Sequence, residues 1–294
     1  MAEATIPGRD RPVLITGAST GIGRDAARHL ARRGHSVFAG VRRPADADAI
    51  RADGIPGLEP VTIDVADAGS IAACAAALAE RLAGCGLHAL VNNAGIVVSS
   101  ALEFVPLDAF RRQIEVNVTG QLAVTQAFLP ALRAARERDA GSGRIVFTGS
   151  TSGYFASPFV GPYNASKFAI EGLADSLRRE LRPFGIPVSI VQPGAIRTPI
   201  WEKSEAAADE ILAELPDRGR ALYGETIEVV KGKVQDRVAA AIPVEAVSKA
   251  IHHAVTARRP RLRYKVGTDA WIQFVLARCL PARLTDGLIA KMLG

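Results

Sequence analysis

Cysteine is scarce in this 294-residue sequence: Cys74, Cys85 and Cys279 are an odd number without metal-ligand spacing. They exclude a disulfide framework and read as reduced thiols, with Cys74 as helix packing. No stretch approaches the roughly 18 uninterrupted apolar residues that a spanning helix requires. Residues 1–11 are mixed and polar and lack the apolar core of a secretory signal, so a cytoplasmic location is the default expectation. The five histidines, His29, His35, His88, His252 and His253, show no ligand spacing, and no catalytic metal is expected. Repeats and low-complexity linkers are missing too. Residues 1–294 are therefore expected to form one domain, a length that α/β chains often fold around a single sheet.

What is present suits a compact chain. Apolar residues make up 48% and charged residues 22%, ample for a buried core and contrary to disorder. The net charge of +6 and pI near 9.5 raise the question of nucleic acid. The basic residues, however, come as scattered pairs such as Arg32/Arg33, Arg42/Arg43 and Arg178/Arg179, without a recognition motif or interleaved aromatics, and nucleic-acid binding is not expected.

Apolar runs at residues 13–16, 36–41, 60–65, 89–92, 144–148 and 188–192 read as strands. Helical patterns intervene at 25–33, 68–82, 106–132 and 163–184. Parallel neighbours cannot be joined by hairpins, so this alternation predicts an α/β fold: a doubly wound, Rossmann-type parallel sheet with helices on both faces. Past residue 198 the chain turns polar and helical, and residues 199–240 are expected to form a helical substrate lid over the 11–198 core. Residues 241–294 then supply a helix, a strand at 263–267 and an apolar tail interrupted by Pro281 and Gly287.

Chemistry concentrates where strands end. Thr16-Gly17-Ala18-Ser19-Thr20-Gly21-Ile22-Gly23 follows the first strand and opens a helix. Glycines there let backbone N–H groups and the helix N-terminus approach a pyrophosphate, although a tight strand-to-helix turn uses the same residues. An acid at the end of the second strand would read the ribose 2′-hydroxyl of NAD. Val41, Arg42 and Arg43 stand there instead, and a guanidinium suits a 2′-phosphate, with a plain surface arginine pair as the alternative. Asp64-Val65 closes the third strand. Asn92-Asn93-Ala94-Gly95 closes the fourth, where a ligand lining competes with a simple turn. Tyr163 and Lys167, at i and i+4, share a helix face, so the ammonium can sit near the phenol and stabilise phenolate. Ser150 ends the preceding strand, from which its hydroxyl could join the phenol on a developing alkoxide.

In this joint order the glycine turn, the Asn-Asn-Ala-Gly tetrad, Asn117, Ser150 and the Tyr-x-x-x-Lys pair resemble the short-chain dehydrogenase/reductase family over residues 13–198. The glycine spacing is similar to its single-domain branch. The resemblance implies that Gly17, Ser19, Gly21, Ile22 and Gly23 hold the cofactor phosphates and ribose. It implies that Asp64 and Val65 flank adenine and that Asn93, Ala94 and Gly95 lie along the cofactor. Ser150 matches the substrate-polarising serine, Tyr163 the acid/base, Lys167 the residue that lowers the tyrosine pKa and holds the nicotinamide ribose, and Asn117 the residue positioning a proton-relay water. Pro193, Gly194, Ile196 and Thr198 match the loop that contacts the carboxamide. Arg42 matches the position whose basic character marks preference for NADP(H), with NAD(H) the alternative.

The basic run Arg258-Arg259-Pro260-Arg261-Leu262-Arg263-Tyr264-Lys265 and apolar residues 271–293 resemble the ends of retinol- and hydroxysteroid-type members. Trp201, Ile211, Leu212, Leu215, Leu222 and Tyr223 in the lid, with Phe155, Phe159 and Val160 before Tyr163, offer apolar surface for a lipophilic alcohol, ketone or aldehyde, or simply pack the lid. Basic residues adjoining an apolar stretch suit a membrane surface, but Arg278, Pro281, Arg283 and Asp286 speak against a spanning helix, and packing on the subunit or a neighbour is the commoner use. A homodimer or homotetramer is implied by resemblance. A non-catalytic nucleotide sensor on the same fold is the competing class, and it would be marked by loss of Ser150, Tyr163 or Lys167. An isomerase or dehydratase that uses bound cofactor transiently is a third.

Overall fold

The computed structural model describes residues 11–82, 84–201, 209, 213 and 215–293. Among the described residues seven parallel strands lie in the order β3-β2-β1-β4-β5-β6-β7. They are β1 Val13–Ile15, β2 Val37–Val41, β3 Leu58–Thr62, β4 Ala89–Asn92, β5 Arg144–Thr148, β6 Val188–Pro193 and β7 Arg263–Val266. Strands β1, β2, β4, β5 and β6 are buried throughout, as strands covered on both faces must be.

The period-2 alternation of side chains divides the core into two layers. Val13, Ile15, Val91 and Val146 face α1 Gly21–Ala31, α2 Pro44–Arg51 and α8 Glu245–Thr256. Leu14, Leu90, Ile145 and Phe147 face α3 Ala68–Leu82, α5 Gly120–Arg138 and α6 Gly161–Glu180. The strand order switches sides between parallel neighbours β1 and β4, and ligands settle at such a switch point.

Several expected boundaries move. Helix α2 is not signalled by periodicity, because it buries only Ala47 and Ile50. Strand β3 starts and ends earlier than residues 60–65, since its register begins with Val37 opposite Leu58. Asp64 and Val65 therefore lie past the strand. One more ladder bond, Ile63 N–H to the Val41 carbonyl at 2.9 Å, precedes the turn. The expected helix over 106–132 is instead α4 Leu107–Ile114, a π-helical turn at Glu115–Thr119, and α5. In the C-terminal third, α7 Asp217–Ala239 precedes α8, and α9 Thr268–Cys279 and α10 Ala282–Leu293 follow β7. Ile211 and Leu212 lie outside the described residues. Among the described residues no helix is long and apolar enough to cross a membrane.

The histidines, far apart in sequence, gather at the end of the sheet away from the glycine turn. His35 lies 6.4 Å from His88 and 6.1 Å from His252, and His252 lies 5.6 Å from His29, ring centre to ring centre. Among the described residues no group of three or more His, Cys, Asp or Glu side chains could hold a metal. His88 is buried, its ring bridging Ser142 Oγ at 2.8 Å and the Val255 carbonyl at 3.0 Å. Desolvation, with neighbouring Arg144 and Arg11, pushes its pKa down to about 4 from an ordinary 6.5. The folded state therefore prefers neutral His88, and this stability is complete above pH 6.5 and lost as pH falls towards 4. We expect urea unfolding to show about 2 kcal/mol less stability at pH 5 than at pH 7 from this residue. His88→Gln should flatten the slope, and an unchanged slope would show that His88 does not carry it.

Candidate active site

The glycine turn is held open by its neighbours. Thr16 Oγ1 accepts the Asn93 and Ala94 amides at 3.0 and 3.1 Å. Asn93 Nδ2 donates to the Thr16 and Gly17 carbonyls at 3.0 and 3.2 Å. Asn93 thus fixes the turn's shape. A Cβ on Gly23 would sit 2.3 Å from the Gly17 carbonyl oxygen and 2.4 Å from Asn93 Nδ2, so only glycine fits there. The first turn of α1 carries no acidic side chain, which leaves its N-terminal partial positive charge to an incoming anion. A close-packed, backbone-lined cradle at a helix N-terminus fits a dinucleotide pyrophosphate.

At the far end of the cradle the two arginines differ. Arg43 pairs bidentately with Asp46 at 2.8 and 2.9 Å. Arg42, about as exposed, comes no nearer to Asp64 than 3.9 Å. A cavity of about 700 Å³ opens here, its charged lining Arg42, Arg111 and Arg112 with Asp64, Asp108 and Glu115, and Arg111 is paired with Asp108 at 2.7 Å. The two α4 arginines were not anticipated, because nothing in their sequence neighbourhood ties them to Arg42.

The reactive side chains converge at the C-terminal end of β5. Ser150 follows that strand, and its hydroxyl lies within hydrogen-bonding reach of the Tyr163 phenol. Lys167 Nζ donates to the Thr148 carbonyl at 2.7 Å and lies 5.6 Å from the centre of the Tyr163 ring. Burial lowers its pKa to about 8, against the pull of Glu171. The phenol pKa is raised, because desolvation outweighs the Ser150 hydrogen bond. Thr148 Oγ1 donates to Asn93 Oδ1 at 3.2 Å, which couples this centre to the glycine turn.

Asn117 sits in the π-helical turn with its side chain fully engaged. Its Oδ1 accepts the Ile96 amide at 2.9 Å, and its Nδ2 donates to the Ile96 carbonyl at 3.0 Å and to Ser166 Oγ at 3.1 Å. Ser166 in turn donates to the Tyr163 carbonyl at 2.7 Å, so Asn117 braces the start of α6. Glu171 is a residue that sequence reasoning missed. It accepts from Gln192 at 2.7 Å and Arg263 at 2.9 Å beneath this centre, and its place one turn after Lys167 was the available signal.

The loop after β6 closes the other side. Its Thr198 side chain comes within 3.4 Å of where a Gly21 Cβ would stand, directly over the glycine turn. Asp269, also missed, accepts the Ala195 amide at 2.7 Å, and Gly194 passes so close that a Cβ would overlap its carboxylate. Trp201 Nε1 donates to the Ile196 carbonyl at 2.8 Å. Of the residues expected along the cofactor, then, the structure brings the glycine turn, residues 93–95, Ser150, Tyr163, Lys167 and residues 194–198 to one strand edge.

Beyond this edge Tyr223 of α7 packs edge-on against Phe104 and Phe159, both 6.0 Å away, and donates to Glu103 at 2.9 Å. Phe159 has φ 63°, a left-handed conformation that bulky residues rarely adopt. A cavity of about 550 Å³ lies between α10 and this loop, lined by Leu102, Pro158, Phe159, Asn164, Asp286 and Ile289 among others. Neither cavity is lined by Ser150 or Tyr163.

Comparison with known proteins agrees with this geometry. The model of the short chain dehydrogenase family matches residues 11–209. Retinol dehydrogenase 5 of Mus musculus is 36% identical over 295 residues, covering 98% of this chain and 91% of that protein. The 17-beta-hydroxysteroid dehydrogenase type 6 of Bos taurus is 34% identical, covering 96% and 89%. A short chain dehydrogenase from Burkholderia cenocepacia, solved in complex with NADP, superposes with a TM-score of 0.70 at 26% identity, covering 98% and 99%.

Proposed function

This chain belongs to the short-chain dehydrogenase/reductase family, and we propose that it interconverts a lipophilic alcohol and its ketone or aldehyde with NADP(H) as preferred cofactor. The observation that carries the reading is the Tyr163 phenol within reach of Ser150, with buried Lys167 behind it, beside a glycine cradle that fits a pyrophosphate.

When bound, the nicotinamide cofactor supplies or accepts the hydride. The protein's part is the proton and the alignment. With its pKa raised, the phenol of Tyr163 is protonated at neutral pH, ready to donate to the oxygen of a carbonyl being reduced. Ser150 offers that oxygen a second hydrogen bond. Lys167, with a pKa of about 8, is largely cationic at pH 7 and stabilises the phenolate that remains. In the oxidative direction the same phenolate takes the alcohol proton. Asn117, whose side chain is committed to Ile96 and Ser166, holds α6 in register so that Tyr163 keeps its position.

Preference for the 2′-phosphorylated cofactor is supported by Arg42, which lacks the close carboxylate partner that occupies Arg43 and faces the cavity at the end of β2. The named activities of the retinol and hydroxysteroid dehydrogenases, together with Phe104, Phe159 and Tyr223, support a lipophilic substrate, with residues 199–240 as its lid. Self-association through α4 and α6 fits their exposed Leu107 and Phe168. Aliphatic, retinoid and steroid carbonyls, followed by nicotinamide absorbance with each cofactor, test the proposal. We expect a higher kcat/KM with NADPH than with NADH, and Arg42→Ala should cut that preference at least about tenfold. Better turnover with NADH in the unmodified chain would sink the role of Arg42.

A further inference from the structure

We propose that Glu171 and Arg263 govern the redox site through Lys167: the carboxylate holds the ammonium charged behind Tyr163, and the guanidinium limits how strongly it does so. Both are positioning residues, acting on the substrate only through Lys167. The inference rests on the reading of Tyr163 and Lys167 as the proton-transfer pair.

Glu171 follows Lys167 by one helical turn, so the two side chains share a face of α6. Its carboxylate is fixed from three sides. Gln192 of β6 holds Oε1 and Arg263 of β7 holds Oε2. On the third side Oε1 stands 3.6 and 3.4 Å from where Cβ atoms on Gly149 and Gly153 would be, against the turn that carries Ser150. A Cβ on Gly153 would also come to 3.0 Å from the Lys167 carbonyl oxygen, so glycine there lets the turn lie close on α6 between Lys167 and Glu171. Only 15% of the Glu171 side chain is exposed, and a charge so poorly screened acts strongly on its neighbours.

The surrounding charges leave this carboxylate incompletely matched. On α6, Asp175 and Arg178 pair at 3.2 Å. Arg263 gives Nε to Glu171 and Nη2 to Asp175 at 3.2 Å, so one guanidinium serves two acids. Lys265, the next cation on β7, lies 3.7 Å from the centre of the Phe274 ring. Asp269 of α9 accepts the Ala195 amide, and the Tyr154 hydroxyl donates to the Ala270 carbonyl at 2.8 Å. The negative charge that Arg263 leaves on Glu171 falls on Lys167. Burial favours the neutral amine, Glu171 opposes it, and the balance lies at a pKa of about 8. A shift of one unit there changes the ratio of ammonium to amine about tenfold within reach of neutral pH.

Glu171 and Arg263 also tie α6 to β6 and β7, and a purely structural role predicts the same kind of damage from losing either one. Control of charge predicts opposite signs. The chain has seven lysines, few enough for NMR of carbon-13-labelled ε-carbons, with Lys167 identified by the signal missing in Lys167→Met. In the cofactor-free chain Lys167 should titrate near pH 8. Glu171→Gln, which keeps the shape and an acceptor for Gln192, should lower that midpoint by about one unit. Arg263→Gln, acting through Glu171, should raise it by about half a unit, and Arg263→Lys, which keeps the charge, should leave it in place. Either Gln variant decides the sign by itself should the other not fold. With NADPH and retinaldehyde as probe, the alkaline fall in reduction should move with the midpoint in both variants. Midpoints that stay put or move the same way in both overturn the proposal, and so does a fall in rate that ignores a shifted midpoint. Shifted midpoints in a chain that reduces no carbonyl would confirm the hold on Lys167 and sink the dehydrogenase reading instead.

Discussion

Replacing Tyr163 by Phe should lower kcat by about a thousandfold while leaving nicotinamide cofactor affinity nearly unchanged. The substitution removes one oxygen. The ring keeps its place, because α6 is braced by Ser166 and Asn117 and Lys167 remains tied to the Thr148 carbonyl. Ser150 would still offer a hydrogen bond to the substrate oxygen, but no group would remain to transfer the proton in the reaction. Folding should suffer little, about 1 kcal/mol for the lost contact with Ser150. Single-turnover rates, cofactor titration and melting temperature separate these effects. Turnover within tenfold of the unmodified chain would remove Tyr163 from the proposed chemistry.

Gly23→Ala should abolish tight cofactor binding through a purely steric route. The new methyl would meet the Gly17 carbonyl oxygen and Asn93 Nδ2, and neither is the free end of a flexible side chain. Asn93 is held through its own bonds to Thr16, Gly17 and Thr148. Either those bonds break or α1 moves away from the sheet, and both distort the cradle. Overpacking of this kind costs about 2 kcal/mol of stability, with at least about a hundredfold loss of cofactor affinity expected from the displaced turn. Gly172→Ala is the control, since a Cβ there meets nothing within 4 Å and α6 gains helix propensity. If Gly23→Ala binds NADPH as the unmodified chain does, the glycine turn does not hold the phosphates.

The elements that sequence made readable are those whose signal is local. Buried parallel strands announced themselves as apolar runs, and β4 and β5 fall at the expected residues. Helical spacing puts Tyr163 and Lys167 on one face, and the joint order with Ser150, Asn117 and the glycine turn gives the pair its meaning. The α4-to-α5 segment was read as one helix because a π-helical turn keeps helical composition while shifting the hydrogen bonds by one residue. Helix α2 escaped because it buries so little.

Sequence by itself determined the doubly wound sheet, because periodicity and turn chemistry are written over short stretches of chain, and the joint order of its motifs carried the resemblance to the family. Tertiary structure alone decided how those residues are held. Asn117 engages Ile96 and Ser166, Asp269 grips a loop 74 residues before it, and Arg43 rather than Arg42 is taken by Asp46. It also gathered four scattered histidines and left Trp271, Ile272 and Val275 more than half exposed. Such contacts join atoms whose separation depends on how helices pack on the sheet, and no local pattern encodes that distance.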